Sequence, residues 1–355
     1  MNRAAAPAFY RGLEMLQVKM TEAFKMEYLD LPVPEIGDDD VLIQMKRVGV
    51  CGSDIQVYHG KHKYMKFPVV QGHEGAGLVS KVGSRVTCFK VGDRVTVQPQ
   101  VFCGECAPCR SGHYNVCKNL KVYGVHTGGM FSEYFVAPAS KVLRLPDTMS
   151  FDTGSLVEPV AVATGTIRRC GDLTGKNVAV LGAGTIGNLV AQVAVASGAK
   201  KVMVTDINQK RLDIAKACGI HACVNTRERK LKDVIIEEFG DDEADIIIDC
   251  AGVKAIFNEA VAAARCSSKL VIVANYKEPV EVELPLFQRR EVDMLGIMMY
   301  LREDFERAID LMTRRAISTE PLISDHFGMR EIDQVYPYID SNPENVMKVV
   351  IKISE

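Results

Sequence analysis

The sequence has no basic stripe, no arginine-rich run and no pattern of aromatic residues interleaved with basic ones. Its formal net charge is −2, with both signs spread along the chain, so its electrostatics argue against a nucleic-acid partner. It also lacks an unbroken apolar run long enough to cross a bilayer, internal repeats and low-complexity segments. The N-terminal segment MNRAAAPAFYRGLEMLQVKM is interrupted by charged residues and Pro7 before a signal-peptide-like stretch develops. We interpret this segment as a loose tail leading into a first strand.

Size and composition favour a soluble, globular, two-domain protein. The chain has 355 residues, of which 47% are hydrophobic and 25% charged. A single core stops growing at roughly 250–300 residues, so two domains are expected. The eleven cysteines are an odd number in a chain without a secretory signal, which favours a reducing compartment over a disulfide framework. We expect a cytoplasmic protein.

The segments VGVCGSD and QGHEGAG bring a thiol, an imidazole and a carboxylate into two dozen residues: Cys51, His73 and Glu74. Catalytic zinc takes three ligands of these kinds and leaves a fourth position open. Each residue alone has a commoner interpretation, a buried small thiol or a hydrogen-bonded core histidine. The glycines around both segments indicate that the backbone approaches its neighbours closely. Two later motifs favour the metal site.

The first of these motifs is CGECAPCRSGHYNVC, whose thiols are spaced C-x2-C-x2-C-x7-C. Four thiolates complete a closed tetrahedral shell with no room for substrate, so the motif predicts a structural zinc. An iron–sulfur cluster is the competing interpretation, because similar spacings hold such clusters. The predicted ligands are Cys103, Cys106, Cys109 and Cys117.

The second motif is NVAVLGAGTIG, in which an apolar strand runs into G-x-G-x-x-G at Gly182, Gly184 and Gly187. An apolar helix and the strand KKVMVTD follow, as expected for a dinucleotide-binding unit. The pyrophosphate would lie at the helix N-terminus. Asp206 ends the second strand, where a carboxylate accepts hydrogen bonds from the adenosine ribose. Its charge would repel the extra phosphate of NADP, so the sequence predicts NAD.

The remaining patterns set the fold class. Short β-type runs between residues 41 and 97 predict a β-rich first half. Strands and helices alternate from residue 177 to about 300 and predict a doubly wound parallel sheet. The C-terminal segment that follows is predicted to hold one amphipathic helix, EDFERAIDLMTRR, and a strand, KVVIKI, that returns to the first domain. The segment FDTGSLVEPVAVATGTIRRC has helical period and places Glu158 near a helix start, where an acid is commonly a favourable first-turn charge.

Taken together, GHEGAG, VGDRV, the four-cysteine segment, VEP and the late Rossmann unit resemble the zinc-dependent medium-chain dehydrogenase/reductase family. The resemblance covers nearly the whole chain after about residue 20. The glutamates after the histidine and in VEP resemble the polyol branch, including sorbitol and threonine dehydrogenases. The run VYGVHTGGMFSEY is most similar to the sugar-acid enzymes. The resemblance implies an α/β protein with a β-rich GroES-like catalytic domain at residues 1–163 and 301–355 and a doubly wound Rossmann domain at 164–300.

By this resemblance, Cys51, His73 and Glu74 would hold the catalytic zinc. Glu158 would lie nearby, as an exchanging ligand or as a hydrogen-bond partner of water on the metal. Ser53 would take the alcohol proton. Two zinc ions per subunit and NAD are the implied cofactors. The implied NAD-binding residues are Gly182, Gly184, Thr185, Ile186, Gly187, Asp206 and Arg211.

The sequence departs from the family in the expected proton relay. Relatives usually have a histidine five residues after the cysteine, and here that residue is Gln56, which cannot titrate. His59 lies three residues further on and is the candidate substitute. The aromatic residue of the sorbitol enzymes is replaced by Val57. Arg302 and Lys63 are candidate contacts for an anionic substrate, although surface charge is the commoner role for such residues.

The predicted function is NAD-dependent oxidation of a secondary alcohol of a polyol or sugar acid, with zinc acting as Lewis acid on the hydroxyl. Threonine 3-dehydrogenase or butanediol dehydrogenase activity is the alternative. A non-catalytic NAD- and zinc-binding redox module and a zinc-free quinone reductase are disfavoured, because neither needs the ligands at the catalytic position. Family resemblance implies a homodimer or homotetramer, and the apolar strand near DMLGIMMY could pair across a two-fold axis.

Overall fold

The computed structural model describes residues 14–355, so most of the N-terminal tail lies outside the described residues. The first part of the chain is rich in strands. Its elements are β1 Glu14–Glu22, β2 Lys25–Pro32, β3 Asp40–Gly49, α1 Gly52–Tyr58, β4 Glu74–Val82, β5 Arg94–Val97, β6 Gln100–Val101, α2 Ala107–Arg110, β7 Lys121–Val122, β8 Tyr134–Pro138, β9 Val142–Arg144 and α3 Phe151–Ser155.

Strands and helices then alternate, as the sequence predicts. The elements are α4 Val157–Cys170, β10 Asn177–Leu181, α5 Thr185–Ala196, β11 Lys201–Asp206, α6 Gln209–Ala217, β12 Ala222–Asn225, α7 Leu231–Phe239, β13 Ile246–Asp249, α8 Lys254–Ala263, β14 Lys269–Ile272, α9 Leu284–Arg290 and β15 Asp293–Gly296. The chain ends with α10 Arg302–Thr313, β16 Ile323–Gly328, α11 Ile332–Ser341 and β17 Lys348–Lys352.

Six parallel strands form the later sheet, in the order β12-β11-β10-β13-β14-β15. This is the 3-2-1-4-5-6 order of a doubly wound dinucleotide-binding fold. Alternate residues of β10 face opposite cores. Val178 and Val180 pack with α5, whereas Ala179 and Leu181 pack with α7 and α8. Because both faces are covered, the strand is apolar after its first residue, Asn177. The order reverses beside β10, which places the ligand crevice beyond Leu181.

The other large sheet has seven strands, in the order β16-β17-β3-β4-β5-β9, with β8 also paired to β3. The C-terminal strand β17 lies between β16 and β3, pairing Val350 with Gly49. The prediction that KVVIKI returns to the first domain is therefore confirmed. The predicted α/β fold class is also confirmed, whereas the boundary between residues 163 and 164 falls inside α4 and stays a prediction.

The segment with helical period from residue 151 forms two helices, α3 and α4, which meet at Leu156, and Glu158 lies in the first turn of α4, near a helix start as predicted. The prediction of a single helix in the C-terminal segment is wrong. The C-terminal segment contains a second helix, α11, which buries Ile332, Val335 and Tyr336. Pro337 lies inside α11 and hides it from pattern analysis, because proline normally ends a helical pattern.

Among residues 14–355, no helix is both long enough and apolar enough to cross a membrane.

Candidate active site

The structure brings together three predicted ligands. A ligand atom from each of Cys51, His73 and Glu74 lies within 4.8 Å of the other two. Cys51 is the N-cap of α1, and Glu74 is the first residue of β4. His73 and Glu74 are buried, whereas Cys51 is half-buried. A soft thiolate, an imidazole and a carboxylate at these separations form the donor set of a zinc site with one position left open.

Close backbone approach explains two of the glycines. Gly49 pairs with Glu74 across the β3–β4 ladder, and a Cβ at residue 49 would collide with the Glu74 carboxylate. Gly72 has φ +91°, and a Cβ there would lie 2.9 Å from the Phe131 ring. Side chains at these positions would displace the strand that carries the ligands.

The carboxylate of Glu74 is paired with a lysine that sequence reasoning missed. Lys348 Nζ lies 2.8 Å from Oε1 and 2.7 Å from Oε2, and it also donates to the carbonyl of Val50 at 3.0 Å. Both side chains are buried, with 5% and 1% of their surface exposed. A buried ion pair persists only with such good geometry. Lys348 therefore holds both oxygens of Glu74 at the edge of the donor cluster.

The imidazole of His73 faces a buried acid. His73 Nδ1 lies 3.8 Å from Oδ1 of Asp54, and neither atom has a hydrogen-bond partner among the described residues. The other oxygen of Asp54 accepts a 2.9 Å hydrogen bond from the amide of Cys51. Carboxylates behind metal-binding histidines commonly fix the ring and its tautomer. Asp54 thus links two of the candidate ligands.

Glu158 lies in the first turn of α4 and is buried. Tyr300 donates a 2.5 Å hydrogen bond to its Oε1. Burial, reinforced by the negative charge of Glu74, raises the pKa of Glu158 to about 7. Burial also raises the pKa of Asp54. A buried cluster with this many acids and one lysine has a deficit of positive charge, so its chemistry fits a divalent cation.

The four-cysteine segment also converges. The Sγ–Sγ distances are 3.4 Å for Cys106–Cys109, 3.5 Å for Cys103–Cys117, 3.8 Å for Cys106–Cys117 and 4.0 Å for Cys103–Cys109. A tetrahedral zinc with bonds of about 2.3 Å requires sulfur atoms about 3.8 Å apart. The spacing matches one ion, whereas a cluster of several irons would hold the thiolates farther apart.

The glycine loop has the shape that a pyrophosphate requires. Gly182 has φ +97°, and a Cβ at Gly187 would overlap the carbonyl of Gly182. A Cβ at Gly184 would meet nothing within 4 Å. Gly184 is the N-cap of the 12-residue helix α5, which has no side-chain cap. The free amides at this helix start, next to open space, are suited to binding an anion.

The other predicted cofactor residues surround this loop. Asp206 ends β11, and its Oδ2 accepts a 2.7 Å hydrogen bond from the amide of Ala183. The hydroxyl of Thr185 donates to the carbonyl of Met347 at 2.9 Å. Ile186 packs against the core of the sheet. Arg211 donates at 3.1 Å to the carbonyl of residue 343.

The candidate relay residues lie on α1. Ser53 and Gln56 are three residues apart and share a face of this helix. His59 lies six residues beyond Ser53, about 9 Å further along the axis and on another face. Its Nε2 contacts Asp340 Oδ2 at 2.8 Å, and its ring packs against Phe24. This geometry argues against a direct relay from Ser53 to His59.

The two candidate contacts for an anionic substrate differ in their surroundings: Arg302 is hydrogen bonded to other groups of the protein, and Lys63 is exposed. Arg302 donates to the carbonyl of Ser140 at 2.6 Å and to Glu306 at 3.0 Å. Lys63 is exposed, with its ammonium 5.7 Å from the Tyr64 ring centroid. Neither residue contacts a predicted metal ligand.

Comparison with known proteins places the chain in a family. Residues 37–147 match the alcohol dehydrogenase GroES-like domain, and residues 185–314 match the zinc-binding dehydrogenase domain. The chain belongs to the zinc-dependent medium-chain dehydrogenase/reductase family. It lies in the polyol branch and is an alcohol dehydrogenase, an oxidoreductase.

Three curated relatives match this chain over most of its length. Sorbitol dehydrogenase of Bacillus subtilis (strain 168) is 33% identical, over 88% of this chain and 89% of that protein. The 2-dehydro-3-deoxy-L-galactonate 5-dehydrogenase of Pseudoalteromonas atlantica is 32% identical, over 89% of this chain and 92% of that protein. The L-threonine 3-dehydrogenase of Pectobacterium carotovorum is 30% identical, over 92% of this chain and 95% of that protein. The structure is also similar to an Escherichia coli CFT073 alcohol dehydrogenase complexed with NADH, with TM-score 0.90, 30% identity and coverage of 96% and 100%.

Proposed function

We propose that this dehydrogenase oxidises a secondary alcohol of a polyol or sugar acid to the ketone with NAD, reversibly. The observation that carries the proposal is the three-ligand cluster of Cys51, His73 and Glu74, present alongside a four-thiol cluster. A protein that used zinc for structure alone would need only the second cluster. Two of the curated relatives above are named for a polyol and a sugar acid.

Zinc bound by Cys51, His73 and Glu74 supplies a Lewis acid that lowers the pKa of a substrate hydroxyl. NAD on the glycine loop supplies the hydride acceptor. The side chains of the protein position these groups. Asp54 orients His73, and Lys348 restrains Glu74. Ser53, half-buried in the first turn of α1, would accept a hydrogen bond from the substrate hydroxyl and give up its own proton to solvent as it takes the substrate proton.

NAD is favoured over NADP by Asp206. Its carboxylate is fixed by the amides of Ala183 and Asn208, at 2.7 and 2.9 Å, at the tip of β11. A 2′-phosphate placed there would meet a fixed negative charge.

Threonine 3-dehydrogenase activity is the second candidate, because several relatives of comparable identity carry that name. The test measures NADH absorbance from zinc-loaded protein with hexitols, aldonates, L-threonine and 2,3-butanediol, each with NAD and with NADP. Absence of turnover with every alcohol would refute the proposal.

Substitution of one ligand separates an enzyme from a binding module. Cys51→Ala should lose turnover and one of two zinc ions per subunit, yet still bind NADH. Cys266→Ala, which removes an exposed thiol, is the matched control. Retention of activity by Cys51→Ala would contradict the assignment of this residue as a ligand.

We infer a homo-oligomer that forms through the edge of the parallel sheet. Strand β15 is at the end of the strand order, and Met294 and Met298 expose 50% and 47% of their surface. An unpaired edge with exposed apolar side chains favours pairing with a second copy. Light scattering should give a mass that is a multiple of the 39.1 kDa chain mass, and Met294→Lys should lower the measured mass.

We also infer a cytoplasmic location, because the eleven unpaired thiols favour a reducing compartment.

A further inference from the structure

Two separate stretches of the chain supply the three candidate ligands of the catalytic zinc. Cys51 is the N-cap of α1, whereas His73 and Glu74 lie where β4 begins. The loop of residues 59–70 separates these stretches in sequence. A metal site requires its ligands to be held within about 0.5 Å of the productive geometry. The position of α1 relative to His73 therefore matters for zinc binding.

The side chain of Gln71 bridges the two stretches. Gln71 lies two residues before His73 and is buried, with 2% of its surface exposed. Its Nε2 donates a 2.9 Å hydrogen bond to the carbonyl of Asp54 in α1. The backbone of Gln71 is fixed as well, because its carbonyl accepts a 3.0 Å hydrogen bond from the amide of Phe131. Gln71 thus ties the segment that carries His73 to the helix that begins after Cys51.

The other end of the Gln71 amide group is held by Tyr336 of α11. A carbonyl can only accept a hydrogen bond, so the nitrogen of Gln71 must face Asp54 and its oxygen must face the tyrosine. The Tyr336 hydroxyl donates to that oxygen at 2.9 Å. The buried ring of Tyr336 also stacks on Tyr58, with centroids 4.6 Å apart and planes 10° apart. Because Tyr58 is the last residue of α1, Tyr336 supports both ligand-bearing stretches.

This network ends at a residue that already contacts two candidate ligands. Asp54 has one carboxylate oxygen 3.8 Å from His73 Nδ1, and the other accepts a hydrogen bond from the amide of Cys51. Apolar side chains could fill the space of an amide and a hydroxyl without the cost of burying polar groups. A buried network whose members are all hydrogen bonded instead fixes one arrangement of the elements that it joins.

We propose that Gln71 and Tyr336 form a buried clamp that sets the position of α1 relative to His73. Both are positioning residues, because neither belongs to the ligand cluster and they act through Asp54 and the backbone at Cys51. The inference rests on the proposed zinc chemistry and adds the contact that holds the two ligand-bearing stretches together.

The experiment separates positioning from stability in the full-length protein. Gln71→Leu removes the bridge to Asp54, and Tyr336→Phe removes the hydroxyl that orients Gln71. The double variant removes both polar partners of the Tyr336–Gln71 hydrogen bond without restoring the bridge. Tyr338→Phe is the matched control, because it removes a tyrosine hydroxyl of the same helix that donates to Asp325 at 2.7 Å.

Four quantities are measured: Tm of the zinc-free protein, the rate of zinc loss to a chelator, kcat, and KM for NAD. Cys51→Ala identifies which phase of zinc loss belongs to the three-ligand cluster.

Both single variants should lower Tm, because each leaves a buried polar group unpaired. The double variant should have a higher Tm than Gln71→Leu, because it removes the unpaired hydroxyl as well. Zinc should nevertheless leave the three-ligand cluster about tenfold faster in Gln71→Leu and in the double variant alike. Their kcat should fall by about tenfold, whereas KM for NAD should stay within about twofold of the wild-type value, because the glycine loop lies outside the network. Tyr338→Phe should keep the wild-type zinc loss and kcat.

Two outcomes would overturn the clamp while leaving alcohol oxidation intact. One is wild-type zinc retention in Gln71→Leu. The other is a double variant that regains zinc retention together with Tm, since that pattern marks a role in stability alone. Wild-type protein that holds zinc at the three-ligand cluster but produces no NADH from any alcohol would refute the proposed function instead, and the rates of zinc loss would still decide on the clamp.

Discussion

Replacing Lys348 by methionine tests the electrostatic design of the site. Methionine keeps the length of the side chain and removes its charge. The lysine makes three contacts of 2.7–3.0 Å, two of them with Glu74, and both side chains are buried. Removing one partner of a buried pair costs about 3–5 kcal/mol, because the other charge stays buried without compensation. In zinc-free protein, Lys348→Met should therefore lower Tm by roughly 5–10 °C.

Zinc should reverse part of this loss. A divalent cation beside Glu74 supplies the positive charge that the lysine gave up. If zinc restores half of the cost, about 2 kcal/mol, the variant should hold zinc roughly 30-fold more tightly than the wild type. Its turnover should fall, because both oxygens of the unrestrained Glu74 can then compete for the open position. The assays are thermal unfolding with and without zinc, zinc loss to a chelator, and kcat.

Two controls make this result interpretable. Lys352→Met changes the same residue type on the same strand, but at an exposed position, and should alter none of these quantities. The double variant Glu74→Gln, Lys348→Met removes both charges and should recover most of the zinc-free stability. The reasoning is refuted if zinc-free Lys348→Met has the same Tm as the zinc-free wild type, or if the variant loses zinc to a chelator faster than the wild type does.

Three further predictions concern individual side chains. Asp54→Asn should weaken zinc binding about 10- to 100-fold, as measured by metal titration, because the acid behind His73 is lost; unchanged affinity would contradict its role. Asp206→Asn should raise kcat/KM for NADP relative to NAD by about tenfold or more, and an unaltered ratio would remove Asp206 as the selector. Burial lowers the pKa of Lys141 to about 8, so its folded-state pKa lies below its unfolded value and the wild type gains stability as pH rises from 8 to about 10.5. Lys141→Met should thus stabilise the protein by about 1 kcal/mol at pH 7. This figure is reduced because Lys141 is partly exposed and because its ammonium lies 3.7 Å from the Phe102 ring centroid. The gain in stability should vanish by pH 10.5, and a gain that does not depend on pH would contradict this assignment.

Local patterns predicted the parts of the protein that depend on local physics. The strand before Gly182 is apolar from Val178 to Leu181 because helices cover both of its faces, and this pattern is visible in the sequence. The four-thiol cluster could equally be predicted from the sequence, because all of its ligands lie in one short stretch between Cys103 and Cys117. Asp54 was also within reach, because it follows Cys51 by three residues, the spacing at which a side chain returns to an N-cap amide.

Contacts between distant parts of the chain could not be predicted in the same way. Lys348 pairs with Glu74 across 274 positions, and Tyr300 pairs with Glu158 across 142. In the sequence, Lys348 is one basic residue at the start of an apolar strand, and only sheet topology shows that it points inward.

The segment from residue 343 to Lys348 connects the two halves of the proposed reaction. Its carbonyls accept hydrogen bonds from Arg211, near the adenosine side, and from Thr185, at the start of the pyrophosphate helix. One residue after the carbonyl that binds Thr185, Lys348 holds Glu74 in the metal cluster. The glycine loop and the restraint on a candidate zinc ligand are therefore joined by one short stretch of backbone. Neither the GHEGAG motif nor the glycine motif contains this connection, because it is made by the last strand of the chain, inserted beside β3.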